Sequence, residues 1–251
     1  MRALYILAKD SLEEALSSRL ILVSLLTAAV LLYLGEAVSA LAAEEETRAL
    51  LDLGLGLIEL VTLGIAVFGG AVFFLREGET KRADLILSRP IGRARYLLGR
   101  FLGLALTAGV SLLLTSALHL AMLLLKGWLF TPAYLYALVG IYLKVLIALS
   151  MTLGISLWST SALAAMGFSA LLWSLGHFLP EVGELLGRGG TRLAWLKPLL
   201  WIPPNLSFLN YRDVLSLTPG FPPVGAWFAY TGAYAGLWLL IAWDRLRLKE
   251  F

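Results

Sequence analysis

The chain has 251 residues, 59% of them hydrophobic and only 15% charged, with a mean hydropathy of +0.84, against about 45–50% apolar residues in an ordinary soluble domain. That excludes a water-soluble globular protein, and a net charge of +3 with its basic residues clustered between apolar runs excludes a nucleic-acid-binding face. The absence of cysteine excludes a disulfide framework and thiolate metal chemistry.

The first segment, MRALYILAKDSLEEALSS, sets Leu4, Ala8, Leu12, Ala15 and Leu16 on one helical face and Lys9, Asp10, Glu13, Glu14 and Ser17 on the other. This pattern predicts an amphipathic interfacial helix over 1–19. Apolar runs able to cross roughly 30 Å of hydrocarbon follow at 20–42, 53–75, 101–125, 134–157, 162–179 and 224–243. The expectation is one all-α integral membrane domain over 1–251 with six transmembrane helices. Ala40 to Ala42 mimics a signal-peptidase site, but the acids Asp10, Glu13 and Glu14 ahead of the first run argue against a signal peptide.

Six spans place both termini on one side. Thirteen lysines and arginines flank that side and six flank the other, so the positive-inside rule predicts cytoplasmic termini. Trp128, Trp195, Trp201 and Trp227 fall near the outer interface and Trp158 and Trp243 near the inner one, whereas Trp173 and Trp238 fit neither belt. The segment 180–223 holds seven of the nine prolines among apolar pieces such as RLAWLKPLLWI, which predicts short external re-entrant or interfacial helices between spans five and six. The uncharged WSTSA between spans four and five predicts a tight hairpin.

Ionisable groups inside spans are functional candidates because burying them in lipid is costly. Here they are Glu36, Glu59, His119, Lys144 and His177. Glu59, His119, Lys144 and His177 are candidates for a translocation path; the competing structural explanation has the outer groups meeting interfacial water and Lys144 snorkelling or pairing with a carboxylate such as Glu59. No catalytic residue or metal site is expected, since HExxH and GxSxG are absent and EEETR does not complete the glutamate-pair pattern of intramembrane proteases. GxxxxGK[ST] is absent too, so any ATP that drives the protein is bound by another polypeptide and the chain carries no cofactor of its own. Ser161, Ala165 and Ser169 recur at four-residue spacing, which suits close packing within the bundle or, alternatively, a dimer seam.

The cytoplasmic loop 76–100 carries the most organised polar sequence. ETKRADLILS can form a short helix capped by Thr80 and stopped by Pro90, with Leu85, Ile86 and Leu87 as apolar contacts, after which GRARYLLGRFLG runs into span three. A plain basic loop on anionic lipid would satisfy the same charges. The stretch LILSRPIGRARYLLGRFLG resembles the LLSxPxSRxxxLLGKxxG pattern of ABC-2-type transporter permeases. AKDSLEEALSSR resembles that family's amphipathic entry helix, PPNLSFLNYRDVLSL its external segment before the last span, and WDRLRLKEF its basic tail.

The resemblance implies the transmembrane subunit of an ABC exporter in a bacterial or archaeal cytoplasmic membrane. Its partners would be two cytosolic ABC ATPase subunits, which hold ATP and Mg, and a second permease copy or a related permease. The ATPase-coupling residues would be Thr80, Lys81, Arg82, Asp84, Leu85, Ile86, Leu87, Ser88, Arg89, Pro90 and Arg93, forming a cytoplasmic coupling helix between spans two and three. Sparse interior charge favours a hydrophobic or amphipathic cargo. The alternative class is a non-transporting membrane scaffold or sensor component of an ATPase-linked complex.

Overall fold

The computed structural model describes residues 6, 9, 13, 20–40, 46–80, 92–188, 203–211 and 222–248. Every regular element among them is helical: α1 (Leu20–Ser39), α2 (Glu46–Thr80), α3 (Arg93–Leu125), α4 (Pro132–Trp158), α5 (Ala162–His177), α6 (Leu179–Arg188), a 3-10 turn (Leu206–Leu209) and α7 (Val224–Leu248). Four helices are long and apolar enough to cross a membrane: α2, over Glu46–Val72, with α3, α4 and α7. The chain therefore has the character of a multi-pass membrane protein. The apolar stretch of α1 is shorter, Leu25–Val38, and α5 breaks from α6 by 66°.

Long helices are what this composition must make, because backbone amides in hydrocarbon can be satisfied only within the helix itself. The hydroxyls inside the bundle follow the same logic and bond back to their own helix: Thr62 to Ile58 O, Thr107 to Gly103 O, Thr115 to Ser111 O and Thr152 to Ala148 O, all at 2.8–2.9 Å.

α4 is the central column, packed against α2, α3, α5, α7 and the 3-10 turn. One apolar core joins α2, α3, α4 and α7 around Leu55, Ile58, Leu104, Ala108, Ile141 and Leu149. A second joins α2, α4, α7 and the 3-10 turn around Leu63, Ile147, Met151, Leu206, Leu209 and Trp227. Lipid tails are as apolar as these side chains, so close approach rather than hydrophobicity decides who packs with whom. The segment 203–211 illustrates this: a Cβ at Gly140 would fall on the carbonyl of Leu209 and one at Gly176 on that of Pro204, so only glycine lets this backbone seat on α4 and α5. Leu26, Val30, Leu106, Leu113, Leu171 and Leu240 stay exposed on the outer surface, as a lipid-facing girdle requires.

The α3–α4 connection is a Schellman turn. Gly127, at φ 81, donates to Leu124 O, and Trp128 donates to Leu123 O; a side chain at that φ would clash with its own backbone. Pro132 then opens α4, where its missing N–H costs nothing. At this end of the bundle Lys126 bridges Glu36 of α1 at 3.0 Å and Glu46 of α2 at 2.9 Å. At the opposite end Arg93, the first residue of α3, donates to Leu246 O at 3.1 Å and also to Arg247 O, closing the last turn of α7. Arg245 lies 4.5 Å over the Trp158 ring at the same end.

The helices differ from the sequence expectations at their ends. α2 runs as one helix through Thr80, five residues past the expected limit of its span at residue 75. Ala165 and Ser169 are fully buried inside the bundle, with Ser169 bonding Ala165 O at 2.7 Å, as close packing within the bundle requires; Ser161 is exposed just before α5. The spans also overrun their hydropathy limits: α2 begins at Glu46 and α3 at Arg93 because Glu, Arg, Leu and Ala extend a helix into water as readily as into lipid. Lys81, Arg82, Asp84, Leu85, Ile86, Leu87, Ser88, Arg89 and Pro90 lie outside the described residues, as do most of the amphipathic segment 1–19 and much of 180–223.

Candidate functional site

α2 and α4 lie side by side, and Glu59 and Lys144 meet between them. At about 1.5 Å per residue Lys144 sits about 18 Å along α4, near mid-span. Its ammonium lies 2.5 Å from Glu59 Oε2, with both side chains almost wholly buried, 3% and 1% exposed. Neither charge is tolerable alone in so dry a place, and each is the other's main compensation. Asn210, just past the 3-10 turn, adds its Oδ1 at 3.4 Å as a further acceptor for Lys144.

The other carboxylate oxygen, Oε1, has no hydrogen-bond partner among the described residues. Nδ1 of His177 lies 4.0 Å from it. The imidazole is fixed from the α5 side: its ring stacks on Trp173 with centroids 5.2 Å apart, and its carbonyl accepts from Ser207 Oγ at 2.7 Å. α2, α4 and α5 thus meet at one carboxylate, and the 203–211 segment braces the lysine and the histidine beside it.

Beside this cluster the α2–α5 seam encloses a cavity of about 440 Å³. α2 lines it with Asp52, Glu59 and the leucines Leu53, Leu57 and Leu60; α5 lines it with Trp173 and His177. Asp52, Leu53 and Leu60 are exposed, so the cavity opens sideways on the outer surface of the bundle.

His119 does not join them. It is fully buried against Tyr134 and α2: Nδ1 lies 3.1 Å from the Tyr134 hydroxyl and Nε2 3.3 Å from Leu50 O. The Tyr134 hydroxyl also donates to Ser116 O at 3.2 Å, so this knot joins α2, α3 and α4 through polar contacts. A Cβ at position 54 would fall on this imidazole, so Gly54 makes room for it. Gly54 and Glu59 point about 140° apart round α2 at 3.6 residues per turn, which puts His119 and the cavity on different faces of that helix. The candidate path named from sequence therefore divides into a cluster of Glu59, Lys144 and His177 and a separate buried knot at His119.

Asp52, Trp173 and Asn210 were not singled out as site residues by sequence reasoning. One signal existed: Trp173 fits neither interfacial belt, and an indole that avoids both interfaces belongs inside. Among the described residues no group of three His, Asp or Glu side chains is arranged to hold a metal ion. Comparison with protein-family models and with curated proteins returns no match, so the functional reading rests on this geometry and on the sequence pattern of the loop.

Proposed function

We propose that the chain is the membrane-spanning permease subunit of an ATP-driven ABC-2-type exporter with a hydrophobic or amphipathic cargo. The observation that carries the reading is the mechanical position of the loop with the family-like sequence. Residues 81–92 join α2 to α3, and Arg93, which immediately follows, also holds the last turn of α7. Three long apolar helices would receive any force applied there. A cytosolic ATPase pair, each holding ATP and Mg, is the partner that such a loop suits, and a second permease copy or a related permease would complete the complex. In this reading six spans cross the cytoplasmic membrane of a bacterium or archaeon, with α1 and the bent α5–α6 pair added to the four long helices and both termini in the cytoplasm.

The test is recovery of the tagged chain from its native membrane with a nucleotide-hydrolysing partner whose turnover depends on it. Leu85→Asp combined with Ile86→Asp should abolish that dependence while the chain still inserts and elutes as one species, because two carboxylates replace the apolar contact surface. A chain that recovers no ATPase, or a double variant that keeps full coupling, would overturn the assignment.

A further inference from the structure

The cavity at the α2–α5 seam has a definite chemical polarity. Its charged lining is acidic: Asp52 and Glu59 are seven residues apart on one face of α2, about 10 Å along the helix. Among the described residues no lysine or arginine lines it, since Lys144 engages Glu59 without reaching the cavity wall. Trp173 adds an indole, whose ring face attracts cations. Glu59 is 2% exposed, yet its Oε1 has no hydrogen-bond donor among the described residues. A buried carboxylate oxygen in that condition retains acceptor capacity that an N–H donor would fill. His177, Gly56 and the leucines complete the lining, and the opening lies between exposed Leu53 and Leu60, the side from which a molecule dissolved in the bilayer would come. The volume of about 440 Å³ lies within the range of roughly 300–1,000 Å³ usual for small-molecule sites.

We propose that this cavity is a binding site for an amphipathic organic cation, with an ammonium head against the α2 carboxylates and Trp173 and a hydrocarbon body along Leu53, Leu57 and Leu60. The role of that cation as cargo rests on the transporter reading, of which it names the substrate class; the binding itself does not.

The full chain in lipid nanodiscs is titrated calorimetrically with phenylbutylammonium, phenylbutanol and phenylbutyrate, three head groups on one apolar body, with empty nanodiscs subtracted. The ammonium should bind saturably and about tenfold or more tighter than the carboxylate. Asp52→Asn, at an exposed position, should weaken the ammonium by about threefold, the scale of a partly solvated ion pair. Glu59→Gln should weaken it by about tenfold, since that carboxylate is buried. The alcohol should respond to neither variant. Absence of saturable ammonium binding, a carboxylate that binds as tightly, or an ammonium affinity untouched by both substitutions overturns the site. Ammonium binding by a chain that recruits no ATPase supports the site and overturns the transporter reading, whereas ATPase recruitment without ammonium binding overturns the site alone.

Discussion

Glu59 and Lys144 are conspicuous because an ionised group in a dry interior has few ways to persist. Removing one leaves the other buried without a counter-charge, at about 3–5 kcal/mol, whereas replacing both by apolar residues of similar size is often neutral or stabilising. Lys144→Ala should therefore lower the thermal unfolding midpoint of the detergent-purified protein sharply, and Glu59→Leu with Lys144→Met should lie closer to wild type than Lys144→Ala alone. A double variant as unstable as the single one would mean that shape, not charge, holds this seam. These residues were legible in the sequence, because a charged letter in an oily run is visible without any structure. Glu59 could also be named as a carboxylate for Lys144 to pair with, but His177 and Asn210 could not be named as their further neighbours. Hydropathy gives the depth of a residue but not its rotation about the helix axis, which is why His119 and His177, two histidines at similar depth, end in different environments. Asn210 reaches Lys144 only because Gly140 and Gly176 admit the 203–211 backbone, a steric condition that no local pattern announces.

Helices two and three show what a run of letters can and cannot delimit. Apolar runs marked the existence of both, but their ends lie in water, where Glu46, Arg48 and Arg93 continue the helix although hydropathy has already fallen. The clamp at the α3–α4 end is the clearest case: Lys126, Glu36 and Glu46 belong to three elements and read in sequence as unrelated polar residues. The hydrogen bonds that its ammonium donates to Glu46 and Glu36 raise the Lys126 pKa above its ordinary value of 10.5. A raised lysine stabilises fully below its unfolded pKa and loses that contribution as pH climbs through the folded one. Lys126→Met should thus lower the unfolding midpoint by the same amount at about pH 7 and about pH 9. The gap should shrink only above about pH 10.5 and should narrow in 1 M salt, because the three groups are partly solvated. A gap that ignores both pH and salt would assign the clamp to packing.

At the scale of the molecule, the outer girdle of leucines and the all-helical architecture followed from composition, while the number of crossings did not. α5 is 16 residues, about 24 Å at 1.5 Å per residue, short of roughly 30 Å of hydrocarbon, and it bends by 66° into α6. Whether a run crosses depends on what seats its end, here Ser207 against His177 O, as well as on its apolar length. The absence of cysteine makes the count measurable, since any introduced thiol is the only one. In the six-span arrangement, cysteines at Lys9, Thr160 and Leu248 react with a membrane-impermeant maleimide only from the cytoplasmic side, and those at Thr47, Leu129 and Glu184 only from outside. Equal sidedness at Lys9 and Thr47 would remove α1 as a span, and equal sidedness at Thr160 and Glu184 would remove α5.

The continuity of α2 gives this arrangement a mechanical meaning. About two-thirds of the way along that helix Gly69 and Gly70 lie against its neighbours: a methyl at 69 would come within 3.2 Å of Leu104 and one at 70 within 3.2 Å of Thr152 and 3.3 Å of Leu149. From Gly70 it is ten residues to Thr80 and eleven back to Glu59, about 15 Å and 16 Å at 1.5 Å per residue. The arms to Glu59 and to Thr80 are nearly equal, with the helix as a rod and the glycines as its pivot. Tilting that rod about them would displace Glu59 by as much as Thr80 and in the opposite sense, so that a push at one end becomes a pull on the buried ion pair at the other.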